Sequence, residues 1–292
     1  MKNRYAFTML ELIFVIVTMG IIAKFGIGFL AQSYNNFIFS NLNNTLQAKS
    51  EMAVESIAKR LQFRIKDSTI RRKSSDLSYK AIGDIDAGGS EYNILEWVGS
   101  DIDGFRGDTK ALWSGVIDID ASSATTLKSP ETNTTALNTL ITTLSHGVCD
   151  INDSALYFIG SDTQIDNYSW DGDATTSHLG SVIHPIKPTA TIDEFESGIS
   201  GVDFSGVDIY EYYKFIWSAY AIVHDATTKD LTLYYAYQPW RGEKYSDGRA
   251  TLLMEDVSTF RFKSVGSVLK IQVCTKSDVM EEYSLCKEKT IF

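Results

Sequence analysis

The sequence is poor in the residues on which disulfide scaffolds and most hydrolases depend. Its 292 residues contain three cysteines, too few for a disulfide-built scaffold, and no two of them form a Cys-x-x-Cys pair. The signatures His-Glu-x-x-His, Gly-x-Ser-x-Gly and Walker A are absent. The histidines show no metal-ligand spacing, and we expect surface or turn positions for all of them: His146, His178, His184 and His224. The sequence therefore predicts no enzyme, no cofactor and no catalytic residue.

The sequence is also short of positive charge. Its formal net charge is −10 at pH 7. An acidic chain repels nucleic acid and anionic lipid headgroups at long range, so nucleic acid is not expected as a partner. Hydrophobic residues make up 44% of the chain and aromatic residues 12%, which is enough for a sizeable core. Composition thus indicates a globular part but names no function.

The N-terminus, in contrast, carries a long apolar run. Residues 1–6 are short and basic, and a nearly continuous apolar stretch follows over residues 7–30. About 20 helical residues cross the hydrocarbon core of a bilayer, so this stretch is long enough to span it. The basic residues before it favour a cytoplasmic N-terminus, with the rest of the chain on the far side. The sequence therefore predicts a single-pass membrane protein.

One carboxylate, Glu11, interrupts this run. A carboxylate in the apolar part of a membrane helix costs roughly 2.5–3.5 kcal/mol on insertion scales, and less near an interface. One interpretation is a glutamate tolerated at the membrane edge. The other needs a partner: if the chain is cut between Ala6 and Phe7, Phe7 gains a cationic amine, and the amine of a neighbouring subunit would neutralise Glu11.

The segment Ala-Phe-Thr-Met-Leu-Glu, from Ala6 to Glu11, resembles the cleavage-and-methylation segment of type IV prepilins and type II secretion pseudopilins. That family combines a short basic leader, a small residue, then Phe-Thr, two aliphatic residues, Glu and an apolar run. The resemblance implies a leader over residues 1–6, cleavage after Ala6, N-methylation of Phe7 and a role for Glu11 in subunit assembly. The family usually has Gly before the cut, where this chain has Ala6. Residues 7–30 would then be the transmembrane and assembly helix.

The resemblance also implies partners and a location. The partners are sibling pilins or pseudopilins, a prepilin peptidase and an inner-membrane assembly platform, with the globular head in the periplasm. Residues 56–64 and 252–262 resemble a minor pseudopilin of the J type and the related W-type minor pilins. The function implied is therefore a minor pseudopilin of a type II secretion-like machine. The alternatives are a minor pilin of a type IV pilus or DNA-uptake system, and a membrane-tethered binding protein that does not polymerise.

Apolar spacing predicts that the helix continues beyond the membrane. Ile38, Leu42 and Leu46 are spaced by four, and the same spacing returns in Ala53, Ile57, Leu61 and Ile65. The pattern is that of one apolar face on a helix. We expect an amphipathic continuation over residues 31–68.

The remainder, residues 69–292, is expected to be a β-rich head. Two hairpins are predicted from runs of aromatic and β-branched residues: residues 210–223 with 231–240, and residues 257–262 with 268–274. A short strand is expected near residues 116–120, and long loops over residues 121–145 and 160–206, where small polar residues dominate. The predicted fold class is α+β, with a long N-terminal helix packed on an antiparallel β-rich head.

Two candidate sites lie in the head. Cys274 and Cys286 are twelve positions apart, and an extracytoplasmic location would permit a disulfide between them, as is common in the C-terminal loop of type IV pilins. The alternatives are that both are free or that Cys149 pairs with one of them.

The second candidate site is the acidic segment that holds Asp101, Asp103 and Asp108, which begins like a calcium loop. The loop pattern then fails, because Phe105 stands at the third ligand position and Leu112 at the place of the bidentate glutamate. Asp-Gly pairs more often form turns. Calcium binding by these three aspartates is one interpretation and a turn is the other.

Overall fold

The structure is a computed structural model that describes residues 8–84, 91–161, 163–266, 268–276 and 284–292. The chain divides into two compact units, Met1–Lys49 and Ser50–Phe292. In the described residues the first unit is a single helical stretch, and the second unit contains the end of that helix and all the β-structure. Ala6 and Phe7 lie outside the described residues.

The described residues form three α-helices and fourteen strands. The helices are α1 (Met9–Leu61), α2 (Ile102–Arg106) and α3 (Thr134–Leu144). The strands are β1 (Ile70–Arg72), β2 (Tyr79–Ala81), β3 (Ile94–Gly99), β4 (Thr126–Lys128), β5 (Ala155–Phe158), β6 (Ile183–Pro188), β7 (Glu194–Ser197), β8 (Tyr213–Ile216), β9 (Ser218–His224), β10 (Leu231–Tyr237), β11 (Arg249–Met254), β12 (Val257–Val265), β13 (Val268–Lys276) and β14 (Ser284–Ile291). The predicted α+β class, with one long apolar N-terminal helix and antiparallel sheets, is confirmed.

Three sheets build the second unit. A six-stranded sheet has the order β11-β10-β9-β3-β1-β2, a five-stranded sheet has the order β4-β7-β6-β5-β8, and a three-stranded C-terminal sheet has the order β12-β13-β14. Every strand pair is antiparallel. Most paired strands are close in sequence, but β3 pairs with β9 across more than a hundred residues.

The six-stranded sheet is covered on both faces. Successive residues of a strand point to opposite faces, and in β3 Leu95 and Trp97 join one apolar cluster while Ile94 and Val98 join another. The first cluster also holds the end of α1 and the inner face of the C-terminal sheet. The second holds residues of β5, β6 and β8 from the five-stranded sheet. The sheet is therefore the middle layer of the head.

A third cluster lies on the other face of the five-stranded sheet. It combines Leu156, Phe158 and Phe215 of that sheet with Leu137 and Ile141 of α3. All five side chains are fully buried. Helix α3 therefore closes the side of the head opposite to α1.

One glycine is required by close packing in the middle sheet. Gly99 ends β3 opposite Ser218, and a Cβ at this position would lie 2.5 Å from Cε2 of Tyr220. The Tyr220 ring also stacks on Trp97, with ring centroids 5.7 Å apart. Only glycine leaves room for the tyrosine ring here.

Helix α1 ends earlier than the sequence pattern predicted. The amphipathic continuation was expected over residues 31–68, but α1 ends at Leu61. Beyond it the backbone pairs with β3: Ile65 N–H donates to Val98 O at 2.9 Å, and Arg64 forms a β-bridge with Gly99. Ile65 is buried as predicted, but it reaches the core from an extended segment because β3 offers its backbone partners.

The strand predictions were partly wrong. The β12–β13 hairpin is present, and so is the hairpin of β9 and β10, but the expected run over residues 210–223 breaks at Trp217 into β8 and β9. Strand β8 pairs with β5 in a different sheet, so Trp217 marks the crossing between two layers. Residues 116–120 form only isolated bridges, from Val116 to Tyr212 and from Asp118 to Lys128.

The prediction of two long loops was also wrong in part. The segment 121–145 contains β4 and α3, and the segment 160–206 contains β6 and β7. Small polar residues suggested loops there, but a few apolar residues per segment are buried and fix regular structure, among them Leu127, Ile186 and Phe195.

Candidate functional site

The first part of α1 presents its apolar side chains to the outside. In the described residues it is the one helix long and apolar enough to cross a membrane, and none of its most apolar window is buried. Exposed large apolar side chains occur on all sides of this stretch: Leu10, Ile13, Phe14, Ile16, Ile21, Ile22, Phe25, Ile27, Phe29 and Leu30. A helix that is apolar all round needs apolar surroundings on every side. Lipid provides them, and so do packed helices of other subunits.

A polar residue within this stretch is satisfied by the helix itself. The Thr18 hydroxyl donates to the carbonyl oxygens of Phe14 and Val15, at 2.9 and 3.1 Å. A hydroxyl bonded back to the preceding turn does not need water. Thr18 therefore does not prevent this stretch from lying in hydrocarbon.

Glu11 closes the start of the helix. Its Oε2 accepts hydrogen bonds from the Thr8 backbone N–H at 3.2 Å and from the Thr8 hydroxyl at 3.1 Å, while the Thr8 hydroxyl accepts from Glu11 N–H at 3.4 Å. This reciprocal arrangement is a capping box, and the negative charge lies at the positive end of the helix dipole. This capping role was not predicted from the sequence, although the Thr-x-x-Glu spacing is its signal.

Glu11 can nevertheless accept a hydrogen bond from a further partner. Both hydrogen bonds from Thr8 go to Oε2, and Oε1 makes no hydrogen bond within the described residues. The glutamate side chain is exposed at the edge of the apolar stretch. The predicted partner is the amine of Phe7 in a neighbouring subunit. Cleavage after Ala6 and methylation of Phe7 stay predictions.

The last turns of α1 are part of the head core. Ile57 and Leu61 are fully buried, and Ala53 and Val54 are nearly so. They lie in the same cluster as Trp97 of the middle sheet. The apolar residues here form a stripe on one face, so one side of the helix packs on protein and the other remains polar.

Two ion pairs attach the C-terminal strand to this end of the helix. Lys287 Nζ lies 3.4 Å from Glu51 Oε2, and Lys289 Nζ lies 2.5 Å from Glu55 Oε1. Four residues of helix advance about 6 Å, and two residues of strand advance about 6.7 Å, so β14 runs along the helix with matched spacing. The hydrogen bond from Lys289 lowers the pKa of Glu55 below its ordinary value. This long-range contact has no local sequence signal.

The disulfide candidate is placed on two paired strands. Cys274 of β13 and Cys286 of β14 are directly opposite in register, and their sulfur atoms are bonded. Cys149 is a buried free thiol, whose pKa is raised by burial. Closing a loop of this size stabilises the fold by up to about 3 kcal/mol in the loop-entropy account. The bond therefore ties β14, with its two lysines, to the rest of the C-terminal sheet.

The calcium candidates are not brought together as ligands. Asp101 is buried and caps α2, accepting a hydrogen bond from Gly104 N–H at 3.1 Å, while Asp103 and Asp108 are exposed. A Cβ at Gly104 would collide with Oδ2 of Asp101, so the Asp-x-x-Gly spacing serves the turn. Burial raises the pKa of Asp101 to about 6. Within the described residues, no group of three or more His, Cys, Asp and Glu side chains is arranged to hold a metal ion.

Two histidines that were expected at the surface are buried in the head instead. His178 and His184 are 1% and 3% exposed, and burial lowers the pKa of His178 to about 4 and that of His184 to about 3. Their rings lie 5.4 Å apart between aromatic neighbours. Rings of this size and shape fill an apolar core well when they are neutral, and no periodic pattern in the sequence signals this burial.

His178 also meets a serine, but the arrangement does not activate it. His178 Nε2 lies 2.8 Å from Ser197 Oγ, and Ser197 Oγ donates to the Ile199 carbonyl at 3.3 Å. His178 Nδ1 has no hydrogen-bond partner among the described residues, whereas a catalytic base needs a group that orients it. The geometry fits a buried structural hydrogen bond.

Comparison with family models, with curated proteins and with solved structures finds no match to this chain. Function is therefore inferred from the residues and their geometry.

Proposed function

We propose that the protein is a minor pseudopilin-like subunit of a type II secretion-like machine. In this proposal the chain is inserted in the bacterial inner membrane with its head in the periplasm, is cleaved after Ala6 by a prepilin peptidase and is methylated at Phe7. Lateral packing of the N-terminal helices then places it in a filament or at its tip. The observation that carries the proposal is α1, a single helix that begins as an exposed all-round apolar cylinder and ends as a stripe in the head core.

The extent of the apolar surface supports this assembly. A soluble protein rarely exposes a contiguous apolar patch larger than a few hundred Å², and the first part of α1 exposes apolar side chains over several turns. Lipid covers this surface before assembly. Neighbouring helices of the same character replace lipid in a filament without exposing apolar area to water.

The position of Glu11 supports a specific contact in that packing. Oε2 of Glu11 accepts hydrogen bonds from Thr8, and within the described residues Oε1 accepts none. A cationic amine at Phe7 of a neighbour would form a charge-assisted hydrogen bond with Oε1. In low dielectric, a charge left without its partner costs about 3–5 kcal/mol, so this contact would set the register of the subunits.

Three substitutions separate helix capping from charge pairing. Glu11→Gln keeps a side chain that completes a capping box but removes the charge. Thr8→Val removes the hydroxyl of the cap but keeps the charge. Glu11→Val removes both functions of the glutamate. Loss of a cap costs about 0.5–2 kcal/mol of helix stability, less than loss of one partner of a buried ion pair.

The readouts are membrane insertion, N-terminal processing and recovery of sibling subunits in complex with this chain. We expect Glu11→Gln and Glu11→Val to be inserted and processed but to lose the complex, while Thr8→Val retains it. If Glu11→Gln assembles like the parent and Thr8→Val does not, Glu11 acts only as a cap. If all three assemble like the parent, the assembly role is wrong, and the tethered, non-polymerising protein becomes the better hypothesis.

A further inference from the structure

A groove runs along one edge of the C-terminal sheet. Residues 258–263, six consecutive positions of β12, line a cavity of about 800 Å³. Tyr92 and Asn93, just before β3, and His224 at the end of β9 line it on one side. Lys270 and Gln272 of β13 and Glu288 of β14 also line it, so it extends over the face of the C-terminal sheet. We call this cavity the β12 groove. It lies within the head and does not involve the N-terminal stretch of α1.

The strand that lines the groove is open on one side. Strand β12 is the end strand of its sheet, and among the described strands only β13 pairs with it. In an antiparallel pair, alternate residues direct their N–H and C=O groups away from the neighbour. Those groups form a row that can pair with a further strand.

The open edge has a defined beginning. Val257 N–H donates to the Lys229 carbonyl at 2.8 Å, and Val257 O lies 2.8 Å from Nε2 of His224. Neither contact continues along the strand into the groove. From Ser258 to Lys263, no described residue outside β13 forms a backbone hydrogen bond with β12. These six positions are about the length of a typical strand.

The exposed face beside this edge is cationic. Lys263 is directly opposite Lys270 in the β12–β13 register, and Arg261 lies two positions before Lys263 on the same face. Like charges placed directly opposite destabilise a sheet. Glu288 neutralises Lys270 at 3.0 Å, but Arg261 and Lys263 form no ion pair within the described residues. These two cations make this face locally positive, although the chain as a whole has a formal net charge of −10.

The other edge of the same sheet provides a contrast. On β14 the cations Lys287 and Lys289 are paired with glutamates of α1. Both lysines are therefore neutralised by glutamates that belong to the head itself. Among the described residues, Arg261 and Lys263 beside the open edge of β12 have no such counterpart, and a ligand with carboxylates would supply it.

We infer that the β12 groove binds an extended acidic segment of a partner protein, which adds to β12 as a further strand. Main-chain hydrogen bonds to the open edge would hold the segment, as in other cases of strand addition. Alternate residues of an extended segment lie about 6.7 Å apart on one face, which is also the spacing between Arg261 and Lys263. Carboxylates at alternate positions would therefore meet both cations. This inference stands independently of the filament proposal, because it depends only on the head.

The probe is a short fluorescent peptide in which glutamate and valine alternate, titrated by anisotropy into the full chain in detergent micelles. We expect Arg261→Glu and Lys263→Glu each to weaken binding about tenfold or more at low salt. The matched control is Arg249→Glu, which reverses an exposed arginine on β11, the edge strand of another sheet; it should leave affinity unchanged. Lys263→Gln is the milder variant if charge reversal disturbs folding, and it should weaken binding less.

Two peptide controls need no protein variant. A peptide with lysine in place of glutamate should bind at least tenfold more weakly. A peptide with N-methyl groups on alternate backbone nitrogens loses the donors for strand pairing and should lose binding. Equal binding of either control peptide, or an equal loss in Arg249→Glu, overturns the inference. So does self-association of the chain that Lys263→Glu abolishes, since the occupant would then be a second copy.

Discussion

The two stretches of α1 contain the same kinds of residue in opposite environments. Leu10 is 81% exposed, whereas Leu61 in the same helix is fully buried. Between residues 53 and 61 the apolar side chains share one face, so a single protein surface covers them. In the first stretch they occur all round the helix, and one surface cannot cover them. Hydrophobicity alone therefore does not decide burial: its angular distribution decides which environment is needed.

The largest effect should come from the buried stripe. Ile57→Ala removes a fully buried side chain and should lower the free energy of unfolding of the head by about 2–5 kcal/mol. Met52→Ala is the matched control, because Met52 is 73% exposed on the same helix and should change it by about 0.5 kcal/mol or less. Denaturant titration of the full chain in detergent measures both. If Ile57→Ala and Met52→Ala lower the free energy of unfolding equally, the buried stripe does not stabilise the head more than the exposed face of the helix does.

A charge placed in the exposed apolar stretch should affect membrane insertion and not the stability of the head. Ile16→Lys should weaken membrane insertion by about 2.5–3.5 kcal/mol and leave the unfolding of the head unchanged, because Ile16 belongs to the first compact unit and is not a member of the head core. Ile16→Leu is the conservative control. Carbonate extraction of membranes measures retention. If Ile16→Lys remains in the membrane fraction to the same extent as Ile16→Leu, the apolar side chains of this stretch do not need to lie in lipid.

The disulfide should have an intermediate effect, confined to the head. Replacing Cys274 and Cys286 by serine should lower the free energy of unfolding by up to about 3 kcal/mol without changing membrane retention. A reductant should reproduce the loss in the parent and have no further effect on the double variant. A parent that is insensitive to reductant would show that this bond does not stabilise β14.

Acid should destabilise the head through its buried histidines. The pKa of His178 is lowered to about 4 and that of His184 to about 3 by burial, so below pH 6.5 the unfolded chain binds protons that the folded chain does not. The free energy of unfolding then falls as pH decreases from 6.5 to 4, by at most about 1.4 kcal/mol per pH unit for each histidine.

The variant His184→Phe isolates this contribution. Asp101 acts in the opposite direction, because its pKa is raised to about 6 and its stabilising contribution is lost as pH increases from about 4 to 6. The difference between the parent and His184→Phe cancels the Asp101 contribution. A parent and variant with parallel pH profiles between 4 and 6.5 would contradict the assignment.

The sequence predicted the parts of the fold that depend on local pattern. Apolar spacing predicted the helix. Runs of aromatic and β-branched residues predicted the β12–β13 hairpin and the β9–β10 hairpin, but not the break at Trp217 that separates β8 from β9. It failed at α3, where threonines of low helix propensity fill the helix. That helix depends on a cap by Asn133, whose side chain accepts from Ala136 N–H at 2.9 Å, and on burial of Leu137 and Ile141. Burial of that kind is a tertiary effect that composition does not report.

In the candidate site, too, features with a local sequence signal were predictable, and features that depend on contacts distant in sequence were not. Glu11 was recognised from its place in the apolar run, and its capping partner Thr8 was predictable from spacing. The ion pair of Glu55 with Lys289 was not, because the two residues are 234 positions apart. The burial of His178 and His184 was missed for the same reason: their aromatic neighbours come from distant segments.

The most direct test of the account is the N-terminus of the protein purified from its native membrane. Intact mass and terminal fragmentation should show a chain that begins at Phe7 and carries one N-methyl group, because the proposed function requires a processed amine opposite Glu11. A chain that retains Met1, or one that begins after residue 25 as a secretory signal peptide would leave it, would contradict the assignment of this helix as the assembly element of a filament subunit.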